Sequence, residues 1–194
     1  MENNNIGCLV MAAGNAVRFG QNKLAAEYHG KSLIECALSA VPQELFTKIA
    51  VVTQYDAVAA LANSFGFTVI RNSCPERGIS ETIRLGTAFL ARCDAIIYMV
   101  ADQPLLQKSS VREVVRVWKE NPDKIVGAAC GEKKGNPCIF PQKYFSELLQ
   151  LQGDSGGKTV IRAHPDAFLP VEIRAQELQD IDTEESLQKL NAKD

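Results

Sequence analysis

Nowhere in the 194 residues does an apolar run approach the ~20 residues needed to cross a bilayer, so no membrane-spanning role is expected. The opening MENNNIGCLVM carries no basic stretch ahead of its apolar run, and a cytoplasmic location follows as an expectation. Positive charge is not in excess: 21 Lys and Arg stand against 23 Asp and Glu, with no long basic run. Nucleic acid is therefore not an expected partner. The six cysteines (Cys8, Cys36, Cys74, Cys93, Cys130 and Cys138) form no C-x-x-C pair and mostly lie in apolar surroundings, which argues against a disulfide framework or a structural zinc site. Cys130 and Cys138 flank EKKGNP and would meet only if that segment closed a hairpin between them; the ordinary reading is two buried thiols. There are two histidines, His29 in an HG pair and His164 in an HP pair, and both read as surface turns.

What is present is alternation. Nearly unbroken apolar runs at Ile6 to Met11, Lys48 to Thr53, Phe67 to Arg71, Ala95 to Asp102 and Lys124 to Ala129 have the pattern of strands covered on both faces. Helical signals fall between them. Ser32 and Glu35 make a capping-box start for SLIECALSAV, Ala57 to Phe65 is rich in alanine and leucine, and Val111, Val114, Val115 and Trp118 share a helical face. The chain is thus expected to be α/β, a Rossmann-like, mostly parallel sheet flanked by helices. At 46% hydrophobic residues, residues 1–194 suit one domain. After Gly131 the pattern changes to a turn at EKKGNP, a short strand CIF, a helix YFSELLQL and another helix behind GDSGG. Residues 131–194 therefore read as an elaboration of the sheet that roofs the site.

LVMAAGNAVRFGQNK, from Leu9 to Lys23, is a strand that breaks into nearly side-chain-free residues and then supplies two cations. In an open parallel sheet, ligands bind beyond the carboxyl ends of the strands. Backbone N–H groups at Ala12, Ala13 and Gly14 can approach a nucleotide closely, with Arg18 and Lys23 placed to neutralise its phosphates. The loop contains neither the G-K-[ST] of a P-loop nor G-x-G-x-x-G. A tight connection bearing two solvated cations is the other reading. In YMVADQP a strand ends in Asp102, suited to Mg²⁺, which takes one or two carboxylates with water and phosphate oxygens. The competing role for Asp102 is a cap for the helix near Lys108, which Ser109 or Ser110 would fill better. In QDIDTEES, Asp180 and Asp182 flank Ile181, and one of the two carboxylates could complete the metal site; Asp182 with Glu185 also reads as a capping box, which taken alone is the favoured role. Glycine turns in ERGISETIRLG and GDSGGKTV lead into helices, and either can hold an anion or serve only as a cap.

The ordered set LVMAAGNAVRFGQNK, RGISETIRLG, VADQP, GNPCIFPQKYFSELLQLQGDSGG and DIDT, from Ile6 to about Leu190, resembles the molybdenum cofactor nucleotidyltransferases, most of all their cytidylyltransferase branch. The resemblance implies a fold of the nucleotide-diphosphosugar-transferase type. It implies that Arg18, Lys23 and Asp102 serve catalysis, and that Ala12, Ala13, Gly14, Arg18, Lys23, Thr53, Gly78 and Ser80 bind nucleotide. Mg²⁺ would be held by Asp102 and Asp182. Gly135, Asn136 and Pro137, with Gly153, Asp154 and Gly156, would face the pterin acceptor. The implied ligands are CTP and molybdopterin, with a molybdenum hydroxylase apoenzyme as a further partner.

This chain departs from the family pattern at Glu81, where a small hydroxyl residue is frequent and where a carboxylate would fall close to the nucleotide. It departs again at Asn15 and Ala16, ahead of Arg18. The implied reaction needs no general base, because an acceptor phosphate is already ionised at neutral pH; charge neutralisation and positioning suffice. Two other transferases fit the same residues, a guanylyltransferase of the family and a sugar- or polyol-phosphate nucleotidyltransferase. A maturation factor that binds cofactor without turnover is the reading from another class.

Overall fold

The computed structural model describes residues 5–14 and 22–192. The first apolar run forms β1 (Ile6–Ala12), and a small hairpin follows from β2 (Glu27–Tyr28) and β3 (Lys31–Ser32). Ser32 caps α1 (Leu33–Ser39) by accepting a hydrogen bond from the Glu35 N–H at 3.3 Å, as its sequence predicts. Then come β4 (Lys48–Thr53), α2 (Asp56–Ser64), β5 (Thr68–Arg71), α3 (Ile79–Phe89), β6 (Ala95–Val100) and α4 (Lys108–Glu120). The remainder is β7 (Ile125–Cys130), β8 (Lys133–Pro141), α5 (Phe145–Leu149), α6 (Gly157–Ala163), β9 (Phe168–Glu172) and α7 (Glu184–Asn191).

Seven strands make one sheet in the order β5-β4-β1-β6-β8-β7-β9. The β1–β4, β1–β6, β4–β5 and β7–β9 pairings are parallel, and β8 runs antiparallel to both its neighbours. The sheet is therefore mostly parallel and flanked by helices, the α/β architecture expected from the alternating pattern. Apolar side chains cover both faces: Val10, Val51, Ile97, Val114 and Trp118 pack on one, and Leu9, Val52, Ile83, Ile96 and Phe140 on the other. At Gly86 an added Cβ would lie 2.3 Å from the Leu9 side chain, so α3 meets β1 at a distance that glycine alone permits.

Two local expectations are corrected. The turn expected at EKKGNP is confined to Gly131 and Glu132; Lys133 already begins β8, which runs through Gly135, Asn136 and Pro137 to Pro141 inside the sheet. The reason is pairing on either side of GNP: Lys133 and Lys134 pair with β7 and Cys138 and Ile139 pair with both β6 and β7, while Gly135, Asn136 and Pro137 form the irregular stretch where the β7–β8 register shifts. Cys130 and Cys138 consequently occupy different rungs, opposite Lys133 and Gly127, and all six cysteines are free thiols. Among the described residues no helix is long and apolar enough to cross a membrane.

Candidate active site

The parallel strands bring Ala12, Ala13 and Gly14 at the end of β1 beside Asp102, just beyond β6. A cleft of about 480 Å³ opens there, lined by Ala12, Ala13, Gly14, Lys23, Gly78 and Asp102 among others. The loop carbonyls are pinned from β4's side of the sheet: Gln54 Nε2 donates to Ala13 O and the Tyr55 hydroxyl donates to Gly14 O, both at 2.9 Å. Gln54 and Tyr55 were not singled out in the sequence. Both are polar residues at the end of a strand adjacent to the loop, a placement visible only once β4 is known to neighbour β1.

Lys23 stands between two carboxylates, with Nζ 2.7 Å from Asp102 Oδ2 and 3.2 Å from Asp182 Oδ1. Burial works to lower its pKa, but the Asp102 charge and hydrogen bond, joined by those of Asp182, outweigh it and hold the ammonium above its ordinary value. Asp102 and Asp182 thus converge on a single cationic centre although 80 residues separate them in sequence (182 − 102). Two carboxylates around one positive charge form an oxygen donor set suited to a hard divalent cation that completes its shell with water and phosphate. The chain's own residues fit such an ion. Among the described residues no group of three or more His, Cys, Asp and Glu has metal-binding geometry.

The competing capping roles are not the ones the structure uses. Thr183 and Ser186 form the capping box of α7, which frees Asp182 from that duty. The N-cap of α4 is Gln107, without a side-chain cap. Neither Ser109 nor Ser110 is that cap; instead the buried Glu177 carboxylate accepts from Gln107 N at 3.0 Å and from the Ser110 hydroxyl at 2.6 Å.

Other expected residues are placed differently. Thr53 is fully buried, its hydroxyl accepting from Tyr55 N at 3.1 Å. The Ser80 hydroxyl donates to Arg77 O at 3.3 Å. Both lie outside the cleft lining because local backbone groups satisfy them first. Glu81 also turns away from the cleft and pairs with Arg84 through both carboxylate oxygens, which together with Arg77 holds its carboxyl below the usual range. Arg18, like Asn15 and Ala16, lies outside the described residues. Neither histidine enters the cleft: His29 sits in a positive-φ turn and His164 Nε2 lies 2.9 Å from Glu147.

A second cavity of about 460 Å³ adjoins the first, and Met11, Ile79 and Asp154 line both. Gly135, Asn136, Asp154 and Gly156 line it, whereas Pro137 is buried in β8 and outside the lining. Gly153 contributes through its backbone: its carbonyl accepts from Ser80 N at 3.1 Å. Tyr98, Cys138 and Phe140 are buried in its wall, the Tyr98 hydroxyl held 2.7 Å from that of Thr87. Lys134, Lys158 and Arg162 add exposed positive charge. An apolar wall with a cationic rim suits a ring-bearing, anionic acceptor.

Residues 8–168 match the family model described as a MobA-like NTP transferase domain. The chain belongs to that family. It is a nucleotidyltransferase by this membership. A probable molybdenum cofactor guanylyltransferase of Bacillus subtilis (strain 168) is 24% identical over 142 residues, covering 72% of this chain and 69% of that protein. Among solved structures, Rv0371c from Mycobacterium tuberculosis H37Rv superposes with a TM-score of 0.84 at 22% identity, covering 99% of this chain and 100% of that one. The complex of Rv0371c with manganese gives 0.77 at 23% identity, covering 97% and 98%. These structural likenesses show that the chains share one fold.

Among the described residues, Lys23 is the cation paired with both Asp102 and Asp182. Replacing it by alanine is expected to weaken binding of a nucleoside triphosphate more than binding of the acceptor substrate, because a point charge at that position would serve the triphosphate. Calorimetric titration with each ligand checks this. A collapse in acceptor affinity with nucleotide affinity intact would place the acceptor, not the nucleotide, beside Lys23.

Proposed function

We propose that the chain transfers CMP from CTP to the terminal phosphate of molybdopterin, as one domain acting in the cytoplasm, and that its product serves a molybdenum hydroxylase apoenzyme. The observation that carries this reading is the pairing of Lys23 with Asp102 and Asp182, the first two of which line one cleft with Ala12, Ala13 and Gly14, beside a second cavity of different character. CTP lies along the first cleft with its phosphates toward Lys23. The pterin occupies the second, with Gly135, Asn136 and the 153–156 turn against it and residues 131–194 covering it.

An oxygen of the acceptor phosphate attacks the α-phosphorus of CTP, forming one P–O bond as the bond to the β-phosphate oxygen breaks and pyrophosphate leaves. No proton has to be removed from the attacking oxygen. The chain's part is to hold two anions in line and to neutralise the charge that grows on the leaving group, through Lys23 and the loop N–H groups. Asp102 and Asp182 would hold Mg²⁺, whose chemistry when bound would be to neutralise phosphate charge; the manganese complex of Rv0371c supports a divalent ion in this fold.

Pyrophosphate release tests the reading. Purified protein with molybdopterin and CTP is expected to produce it stoichiometrically with the dinucleotide product, whereas a cofactor carrier would bind both ligands and release none. Sugar and polyol phosphates in place of molybdopterin should give no release. GTP is the informative competitor, because the Bacillus relative bears a guanylyltransferase name.

The preference for CTP rests on Ala13, which is buried and lines the cleft; family members that use GTP tend to have glycine there. One methyl discriminates by only about 1–3 kcal/mol, so a strong preference rather than absolute exclusion is expected. Ala13→Gly should raise kcat/KM for GTP without loss for CTP, and equal efficiencies for the two nucleotides in the unaltered protein would place it with the guanylyltransferases.

A further inference from the structure

Gln103 follows the proposed metal-binding Asp102 and is 4% exposed. Its Nε2 donates to Asp180 Oδ1 at 2.9 Å, while its Oε1 is buried without a hydrogen-bond partner among the described residues. This orientation follows from chemistry: an ionised carboxylate only accepts, so the NH₂ end of the amide must face Asp180. One residue further along each segment, Ile181 N donates to Asp102 O at 2.9 Å, and the Ile181 side chain is fully buried against Leu33, Leu187 and Leu190. Asp182 then reaches Lys23. Residues 102 and 103 therefore grip residues 180 and 181 at two points immediately before Asp182.

We infer that Gln103 is a positioning residue that fixes the Asp180-to-Asp182 segment so that the Asp182 carboxylate stays beside Asp102. The inference rests on the proposed metal role of that pair. The backbone bond and the buried side chain both hold residue 181; the Gln103 amide adds a contact one residue earlier, so the segment leading to Asp182 is held at two successive residues. A buried amide oxygen left without a donor is seldom retained unless the other end of the amide has a task, and here that end holds Asp180. Partners behind metal-binding carboxylates typically govern affinity about 10- to 100-fold.

The test is titration of the full-length protein with Mn²⁺ alone, read by electron paramagnetic resonance, alongside melting curves. Gln103→Leu and Asp180→Ala are each expected to weaken Mn²⁺ about 10-fold or more. Asp180→Asn keeps an acceptor oxygen for Gln103 and is expected to retain wild-type affinity. Adding Gln103→Leu to Asp182→Asn should cause no further loss. Asp180 is exposed, so Asp180→Ala decides the matter should Gln103→Leu fail to fold. Wild-type affinity in Asp180→Ala, a loss in Asp180→Asn as large as in Asp180→Ala, or an additive loss on the Asp182→Asn background would each overturn the inference. If Asp102→Asn leaves Mn²⁺ affinity unchanged, the metal assignment in the proposed function itself fails, and the positioning role falls with it.

Discussion

Asp102→Asn is expected to lower nucleotidyl transfer by about 10²–10³-fold or more while leaving the fold intact. The amide keeps the shape of the side chain and removes the charge. In the present arrangement that charge is 2.7 Å from Lys23 Nζ and faces Asp182 across the same ammonium. On the proposed metal role, losing it removes one of the two carboxylates that would hold the divalent cation, and with it the positive charge that would offset the leaving pyrophosphate. Removing one preorganised electrostatic partner at a site of developing charge costs on this scale. The structural cost is small, because a partly exposed ion pair contributes at most about 1 kcal/mol and Lys23 retains Asp182. Steady-state rates beside melting temperatures check the pairing of a large kinetic loss with a small thermal one. Near-normal turnover would remove Asp102 from the catalytic machinery, and a fall in both would recast it as a structural residue.

Gly78→Ala is expected to damage both cavities at once. Gly78 has φ 80° and ψ −172°, a region open essentially to glycine alone and worth about 1–3 kcal/mol of strain for another residue. An added Cβ would also stand 2.5 Å from the carbonyl carbon and oxygen of Gly153 and 2.6 Å from Asp154 Oδ1. The Gly153 atoms are backbone and cannot swing aside. The entry to α3 would have to part from the 153–156 turn, breaking the Ser80 N to Gly153 O bond and moving Asp154, which lines both cavities. A displacement of about 1 Å at such a junction can cost 10²-fold in rate. A lower melting temperature together with reduced affinity for both substrates is the expected result. An effect on CTP alone would show that the junction does not couple the two cavities.

The strands were legible because burial on both faces writes itself as continuous apolar runs: β1, β4 and β6 fall within a residue or two of the runs that announce them. The cap of α1 was legible for a similar reason, since Ser32 and Glu35 are three residues apart and their bond is local. Local reading failed where two local signals competed. Asp182 and Glu185 have capping-box spacing, yet Thr183 and Ser186 take the role. GNP reads as a turn, yet it lies within β8 as an irregular stretch between residues that pair with β7 before it and with both β6 and β7 after it. Thr53 and Ser80 have hydroxyls suited to a nucleotide, but nearby backbone groups claim them.

By itself, the sequence determined the α/β class, the family and the identity of the charged residues, since each is carried by short patterns whose meaning does not depend on distant partners. Only the tertiary structure decided how those residues meet. Lys23 reaches Asp102 across 79 positions and Asp182 across 159, and Gln103 holds Asp180 across 77. Contacts of that separation are fixed by strand order and by the packing of Ile181 against α7. No local propensity encodes them, because the forces that set them act between segments that are neighbours only after the sheet has formed.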